Sequence, residues 1–200
     1  MNYSIIPALV FGYLLGSIPF GLLLTRAAGL GDVRQIGSGN IGATNVLRTG
    51  NKGLAVATLL LDAAKGAGAV LIAGVIWPDL PQAQGIAAIG AFLGHLYPVW
   101  LGFKGGKGVA TLIGIVLALH WQSGLVMMGV WLLSFLVTRY SSVGGMMAGL
   151  AAPVSALLFG RIDLAILLAG FALLVLWKHR TNIGRLVRGE EPKVGRSKAA

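Results

Sequence analysis

Seven apolar runs separated by short polar stretches set the pattern of the chain: Ser4–Leu24, Leu54–Trp77, Gln84–Leu101, Val109–His120, Gly124–Val137, Ser142–Phe159 and Leu164–Trp177. A hydrocarbon core takes about 20 helical residues, fewer where the bilayer thins. The pattern therefore predicts an all-α, polytopic integral membrane protein with seven transmembrane helices. The fourth and fifth runs are short, and a re-entrant pair is the alternative for them. Proline removes a backbone donor, so Pro19 and Pro153 are expected to kink the first and sixth spans. Trp77, Trp100, Trp121 and Trp177 fall at span ends, where indole favours the interface; Trp131 falls inside the fifth run and is expected to pack. The N-terminal run lacks a basic leader and reads as a retained span. The expected organisation is one seven-helix domain over residues 1–186 and a flexible basic tail over residues 187–200.

Composition narrows this further. With 56% hydrophobic and 11% charged residues, a soluble globule is excluded. The 31 glycines suit close helix–helix packing. A net charge of +10 raises nucleic acid as a partner, but the basic residues alternate with apolar spans and form no continuous stripe, so no nucleic acid is expected. The lack of cysteine excludes disulfides and thiolate chemistry. Basic residues also give an orientation. Arg26, Arg34, Arg48, Lys52, Lys104, Lys107, Arg139, Lys178, Arg180, Arg185, Arg188, Lys193, Arg196 and Lys198 all fall on one side if there are seven spans; Arg161 alone lies opposite, and Lys65 lies within a span. By the positive-inside rule that side is cytoplasmic, with the N-terminus outside and the C-terminus inside. No internal repeat is visible, which disfavours a repeat-built transporter.

Three polar segments share the cytoplasmic side and can converge on one site: Ile36–Arg48, Gly102–Thr111 and His179–Glu190. Glycine exposes backbone N–H groups, and successive N–H groups cradle anions. The first segment, GSGNIGATN, adds Ser38, Asn40, Thr44 and Asn45 as small polar donors, and Arg48 brings a planar fork suited to phosphate. It is no dinucleotide fingerprint, since no strand precedes it. In the second, KGGKG places Lys104 and Lys107 at a helix start, where the dipole favours anions. His95 just before it is a candidate general base, a core histidine or an orienting group. In the third, His179 and Asn182 share a helical face among arginines, Arg185 included. The plain alternatives are a flexible loop, a positive-inside hinge and a snorkelling basic terminus. Arg139–Ser142 closes the fifth span on the same side and can extend the site. Asp62 and Lys65, at i, i+3 inside span two, are expected to pair with each other rather than carry protons. His120 lies on the outer side and reads as incidental.

GSGNIGATN with its following Arg48, GHLYPVWLGFKGGKGVAT and HRTNIGRL together resemble the signature segments of the bacterial acyl-phosphate:glycerol-3-phosphate acyltransferases, the PlsY family, over nearly the whole chain. The resemblance implies a multi-pass protein of the bacterial inner membrane with its active site on the cytoplasmic side. It implies transfer of a fatty acyl group from acyl phosphate to the sn-1 hydroxyl of glycerol 3-phosphate, giving lysophosphatidic acid for phospholipid synthesis, with no cofactor and no metal. The implied partners are the two substrates, the lipid bilayer and the enzyme that forms acyl phosphate. Carried over to this chain, Ser38, Lys107, His95 and Ser142 fall in the catalytic group. Arg48, His179, Asn182 and Arg185 fall at glycerol 3-phosphate. Asn40, Gly42, Thr44, Asn45, Lys104, Gly105 and Gly106 fall at acyl phosphate. The His-x-x-x-x-Asp dyad of soluble-type glycerophosphate acyltransferases is absent, because Trp100 stands where Asp would. Proton uptake by the acyl phosphate's own phosphate is implied instead. The competing class is a transporter or flippase for a phosphorylated or lipidic anion.

Overall fold

The computed structural model describes residues 5–195, and all regular structure among them is helical. Ten α-helices follow in order: α1 Ile5–Gly16, α2 Phe20–Ala27, α3 Ala43–Val46, α4 Lys52–Ile76, α5 Ala83–Leu96, α6 Val109–Leu119, α7 Trp121–Thr138, α8 Ser141–Leu158, α9 Ile162–Lys178 and α10 Arg180–Val187. Each of the seven apolar runs forms helix, although Ser4 lies outside the described residues. Ile5–Ala27, α4, α7 and α8 are long and apolar enough to cross a membrane, and α9 with α10 makes a fifth candidate bent by 56°. α5, with 14 residues, and α6, with 11, are shorter than a full crossing.

The chain divides into two compact units, Met1–Trp121 and Gln122–Ala200, where the sequence suggests one. In the first, α1 packs closely on α5 at glycines of both helices. A Cβ on Gly12 or Gly16 would strike the backbone of Ala87 or Ala91, and one on Gly90 or Gly94 would strike that of Leu9 or Tyr13. The contacts advance together along both helices, so α1 and α5 run parallel. α4 and α6 also meet backbone to backbone, at Gly66 and Gly114, but with opposite direction, since Gly66 faces Thr111 and Gly114 faces Ala63. Lipid gives no hydrophobic drive for helix association, so small residues fill the contacts and large ones face outward. Ala69, Ala73, Ala87 and Ala91 are wholly buried, while Leu60, Leu71 and Val75 are exposed.

Pro19 does more than kink the first span; it separates α1 from α2. Two carbonyls at the break find donors elsewhere: the Trp100 indole bonds Ser17 O at 2.8 Å, and Lys65 Nζ bonds Ile18 O at 2.7 Å. The same ammonium pairs with Asp62 at 2.7 Å, as the i, i+3 spacing anticipates. The third run ends earlier than expected. α5 stops at Leu96, because Pro98 restricts Tyr97 before it and cannot donate; a single 3-10 turn, Val99–Leu101, follows.

In the second unit α8 runs through Pro153 as one helix, so this proline does not break it as Pro19 breaks the first span. Trp131 packs as expected, stacking on Phe135 with ring centroids 5.7 Å apart. The segment after Val187 departs from the expectation of a loose tail. Val194 N–H donates to Arg139 O at 3.0 Å, and Glu191 is buried. A buried carboxylate with several donors overrides the polar, disorder-prone composition of RGEEPKVG. Arg196 and Lys198 lie outside the described residues.

Candidate active site

The first polar segment rests on a small apolar core of its own. Leu22 from α2, Val33, Ile41, Val46 and Ala55 from α4 are buried together, with Leu47, Leu54 and Leu101 against them. Above this core the loop is pinned by one side chain. Asn45, 2% exposed, donates to Val33 O at 2.7 Å, Asn40 O at 2.8 Å and Ile36 O at 3.1 Å. Its Oδ1 accepts from Ser38 N at 3.0 Å and from the Ser38 hydroxyl at 3.3 Å. An amide has two protons and one carbonyl oxygen. Asn45 therefore spends its capacity inside the loop.

Asn40 Oδ1 accepts from Gly42 N at 3.0 Å, closing an Asx turn. Gly37 takes φ 55°, and a side chain there would collide with Arg48 and Asn45 Oδ1. The pinned loop leaves Ser38, Thr44 and Arg48 exposed on its surface. Before it, Arg26 and Arg34 both pair with Asp32, at 2.9 and 2.6 Å. The hydrogen bond from the Arg34 side chain is the main reason the Asp32 carboxyl is held well below the usual carboxylate range.

The KGGKG segment folds back on the end of α5. Gly105 N–H donates to Leu96 O at 3.2 Å and Gly106 N–H to His95 O at 3.0 Å. The His95 ring lies directly under Gly106, where any Cβ would collide with Nε2. Gly108, at φ 83°, starts α6, and a side chain there would meet Phe92. Lys104 is exposed and Lys107 half-buried. His95 itself is 4% exposed, with Nδ1 3.8 Å from Asp62 Oδ1. The carboxylate absent from its sequence neighbourhood comes from α4. This placement puts the His95 ring beneath the loop, between Gly106 and Asp62.

The second unit has its own polar cluster. Ser142, in the first turn of α8, and Asn182, on α10, are 4% exposed, and His179, between α9 and α10, is 3% exposed. His179 Nδ1 lies 2.8 Å from Val175 O. Ser142 and Asn182 both donate to Glu191 Oε1 at 2.6 Å, and Arg185 Nε donates to Oε2 at 2.7 Å. Burial alone would raise the Glu191 carboxyl, but the three donors and the Arg185 charge outweigh it and hold the group below its ordinary value. Sequence reasoning missed Glu191, which sits in an irregular, charge-rich stretch with no periodicity to mark it. Arg180 instead lies over the Trp177 ring at 4.7 Å. Among the described residues no three His, Asp or Glu side chains gather in a position to hold a metal ion.

The first unit thus offers Ser38, Asn40, Thr44, Arg48, Lys104 and Lys107 on glycine-shaped loops, and the second offers Ser142, His179, Asn182 and Arg185. Hydroxyls, amides and cations of this kind suit phosphate esters. The family model described as "Glycerol-3-phosphate acyltransferase" matches residues 6–189. A glycerol-3-phosphate acyltransferase of Mesorhizobium japonicum is 59% identical, covering 98% of both chains. That of Brucella anthropi is 54% identical, covering 98% of this chain and 96% of its own. Among solved structures, the crystal structure of PlsY, an integral membrane glycerol 3-phosphate acyltransferase, in its glycerol 3-phosphate form is similar with a TM-score of 0.89 and 38% identity. Its lysophosphatidic acid form is similar with a TM-score of 0.87 and 37% identity. Each covers 96% of both chains.

Proposed function

The chain belongs to the glycerol-3-phosphate acyltransferase family, and from that premise we propose how its residues carry out acyl transfer. It is an integral membrane enzyme that acylates glycerol 3-phosphate. The donor we assign is acyl phosphate, and the acceptor the sn-1 hydroxyl. The observation that carries this reading is the match over residues 6–189, which includes the first two polar segments and all but the last residue of the third.

Acyl phosphate is a mixed anhydride with a good leaving group, so neither a covalent intermediate nor a strong base is required. The hydroxyl oxygen attacks the acyl carbon, and the bond from that carbon to the phosphate oxygen breaks. The departing phosphate takes the hydroxyl proton. The protein's share is position and charge. Gly42, Gly105 and Gly106, whose N–H groups are held by Asn40 Oδ1, Leu96 O and His95 O, shape the loops around acyl phosphate, and Asn40, Thr44 and Lys104 are assigned to contact it. Lys107 and Ser38 are assigned to the reacting phosphate and carbonyl, where charge shifts. Arg48, His179, Asn182 and Arg185 are assigned to glycerol 3-phosphate, with Ser142 at its hydroxyl. Asn45 and His95 hold the loops in shape.

For topology we favour seven spans with the N-terminus outward and the C-terminus and active site cytoplasmic in a bacterial inner membrane. Fourteen of the sixteen Lys and Arg residues support this, as does the parallel course of α1 and α5. The acyl-phosphate-forming enzyme is the partner this donor requires.

The test uses purified full-length protein in detergent, where no vectorial transport can occur. Acyl phosphate, acyl carrier protein thioester and acyl-CoA are offered separately with glycerol 3-phosphate. Lysophosphatidic acid should form from acyl phosphate alone and be lost in Lys107→Ala and Arg48→Ala proteins that remain folded. Product from a thioester only, or near-wild-type turnover in either variant, would overturn the assignment.

A further inference from the structure

We infer that Glu191 is a positioning residue for the acceptor site: by taking hydrogen bonds from Ser142, Asn182 and Arg185, its carboxylate aims all three and fixes the Ser142 oxygen as an acceptor. This rests on the acyl-transfer reading given above.

A glutamate only 9% exposed is uncommon unless it is paired. Glu191 has a donor on each oxygen: Ser142 and Asn182 at 2.6 Å on Oε1, and Arg185 Nε at 2.7 Å on Oε2. The carboxylate arrives on a returning strap. Val194 N–H donates to Arg139 O at 3.0 Å, Arg139 Nη2 donates back to Val194 O at 3.3 Å, and Lys193 Nζ lies 5.3 Å from the Tyr140 ring centroid. These contacts hold residues 193 and 194 against the chain just before α8, whose first turn carries Ser142. The positive end of the α8 dipole also favours an anion there.

The consequence follows from counting protons. A serine hydroxyl has one, and here it points at Glu191, so toward any other partner Ser142 Oγ offers only lone pairs. An oxygen fixed in that state repels phosphate oxygens and receives an alcohol O–H. It therefore selects the glyceryl hydroxyl over the phosphoryl end of the same substrate. Arg185, held at Nε, has its guanidinium plane fixed, and the N–H groups of its other nitrogens can address an oxyanion. Ser142 beside Glu191 has the outward look of a nucleophile with its base. A carboxylate bound by three donors, one of them cationic, is a poor proton acceptor, so its work is orientation.

The experiment compares wild type, Glu191→Gln and Glu191→Asp as full-length detergent-purified proteins, varying glycerol 3-phosphate at saturating acyl phosphate and then the reverse. A glutamine must turn its NH2 toward at least one of three donors, whereas Asp keeps the charge but falls one methylene short. Glu191→Gln should raise KM for glycerol 3-phosphate about tenfold or more, the scale of one lost charge-assisted hydrogen bond. KM for acyl phosphate should stay within about threefold, and Glu191→Asp should be intermediate. In a cycle with Ser142→Ala, the double variant should be no worse than the poorer single one. Unchanged KM for glycerol 3-phosphate, equal weakening of both substrates with a lower melting temperature, or additive effects in the cycle would overturn the inference. Should Glu191→Gln not fold, Glu191→Asp decides by the same KM comparison. A wild type that forms no lysophosphatidic acid would instead overturn the acyl-transfer reading itself.

Discussion

Replacing Asn45 tests whether the first loop proposed to meet phosphate is preformed or shaped by its ligand. Asn45→Asp is nearly isosteric but turns both amide protons into acceptor capacity, setting a carboxylate against the carbonyls of Val33, Ile36 and Asn40. Val33 is 1% exposed, so water cannot replace its lost donor, a penalty of about 1–3 kcal/mol. Ile36 is exposed and Asn40 half-buried, so water recovers part of those bonds, at a net cost of about 0.5–1.5 kcal/mol each. The total is about 2–6 kcal/mol of loop order, or roughly 30- to 25,000-fold in the ratio of ordered to disordered loop. If substrate binds only the ordered loop, kcat/KM for acyl transfer should fall by about that factor. Hydrogen exchange over residues 33–45 without substrate supplies the second readout. A side chain that acts only by touching phosphate would leave exchange in the free protein unchanged. Activity within about threefold of wild type, or wild-type protection of the free loop, would refute the reasoning.

Two further outcomes follow from the first unit's interior. Asp62→Asn leaves Lys65 as an unpaired buried charge, and breaking a buried pair costs about 3–5 kcal/mol. Thermal unfolding in detergent should show that loss, and the Asp62→Asn/Lys65→Met protein should recover part of it; equal stability of single variant and wild type would count against the pair. Gly106→Ala should cut turnover about 100-fold by driving the loop off the His95 ring, and the Gly106→Ala/His95→Ala double variant should regain activity. If the double variant is no better, the collision is not the cause.

Much of the architecture could be read from residues alone because apolar runs and breakers act locally. Each expected span is helical, the Asp62–Lys65 pairing follows from helical spacing, and Trp131 packs where its position inside a run placed it. The glycine-and-cation loops likewise suggested a phosphorylated substrate by composition, and the family acts on glycerol 3-phosphate. What escaped was set by tertiary placement. Asn45 looks like one polar donor among several until its bonds to residues between five and twelve positions away are seen. His95 seemed to lack a carboxylate because Asp62 lies on another helix. Glu191 sits in a stretch whose composition suggests no structure, yet it joins α8 to α10. Pro98 was visible, but the long apolar run around it hid how early α5 would end.

The glycine contacts between α1 and α5 also govern how the first unit can respond to its lipid. Backbones in contact at Gly12, Gly16, Gly90 and Gly94 interlock like teeth and resist axial shear. A bilayer that thickens or thins can tilt the two helices as a pair, but it cannot slide one past the other. The depth of the KGGKG turn at the foot of α5 is therefore tied to the Pro19 break at the foot of α1, and changes in acyl-chain length move both together without altering their spacing.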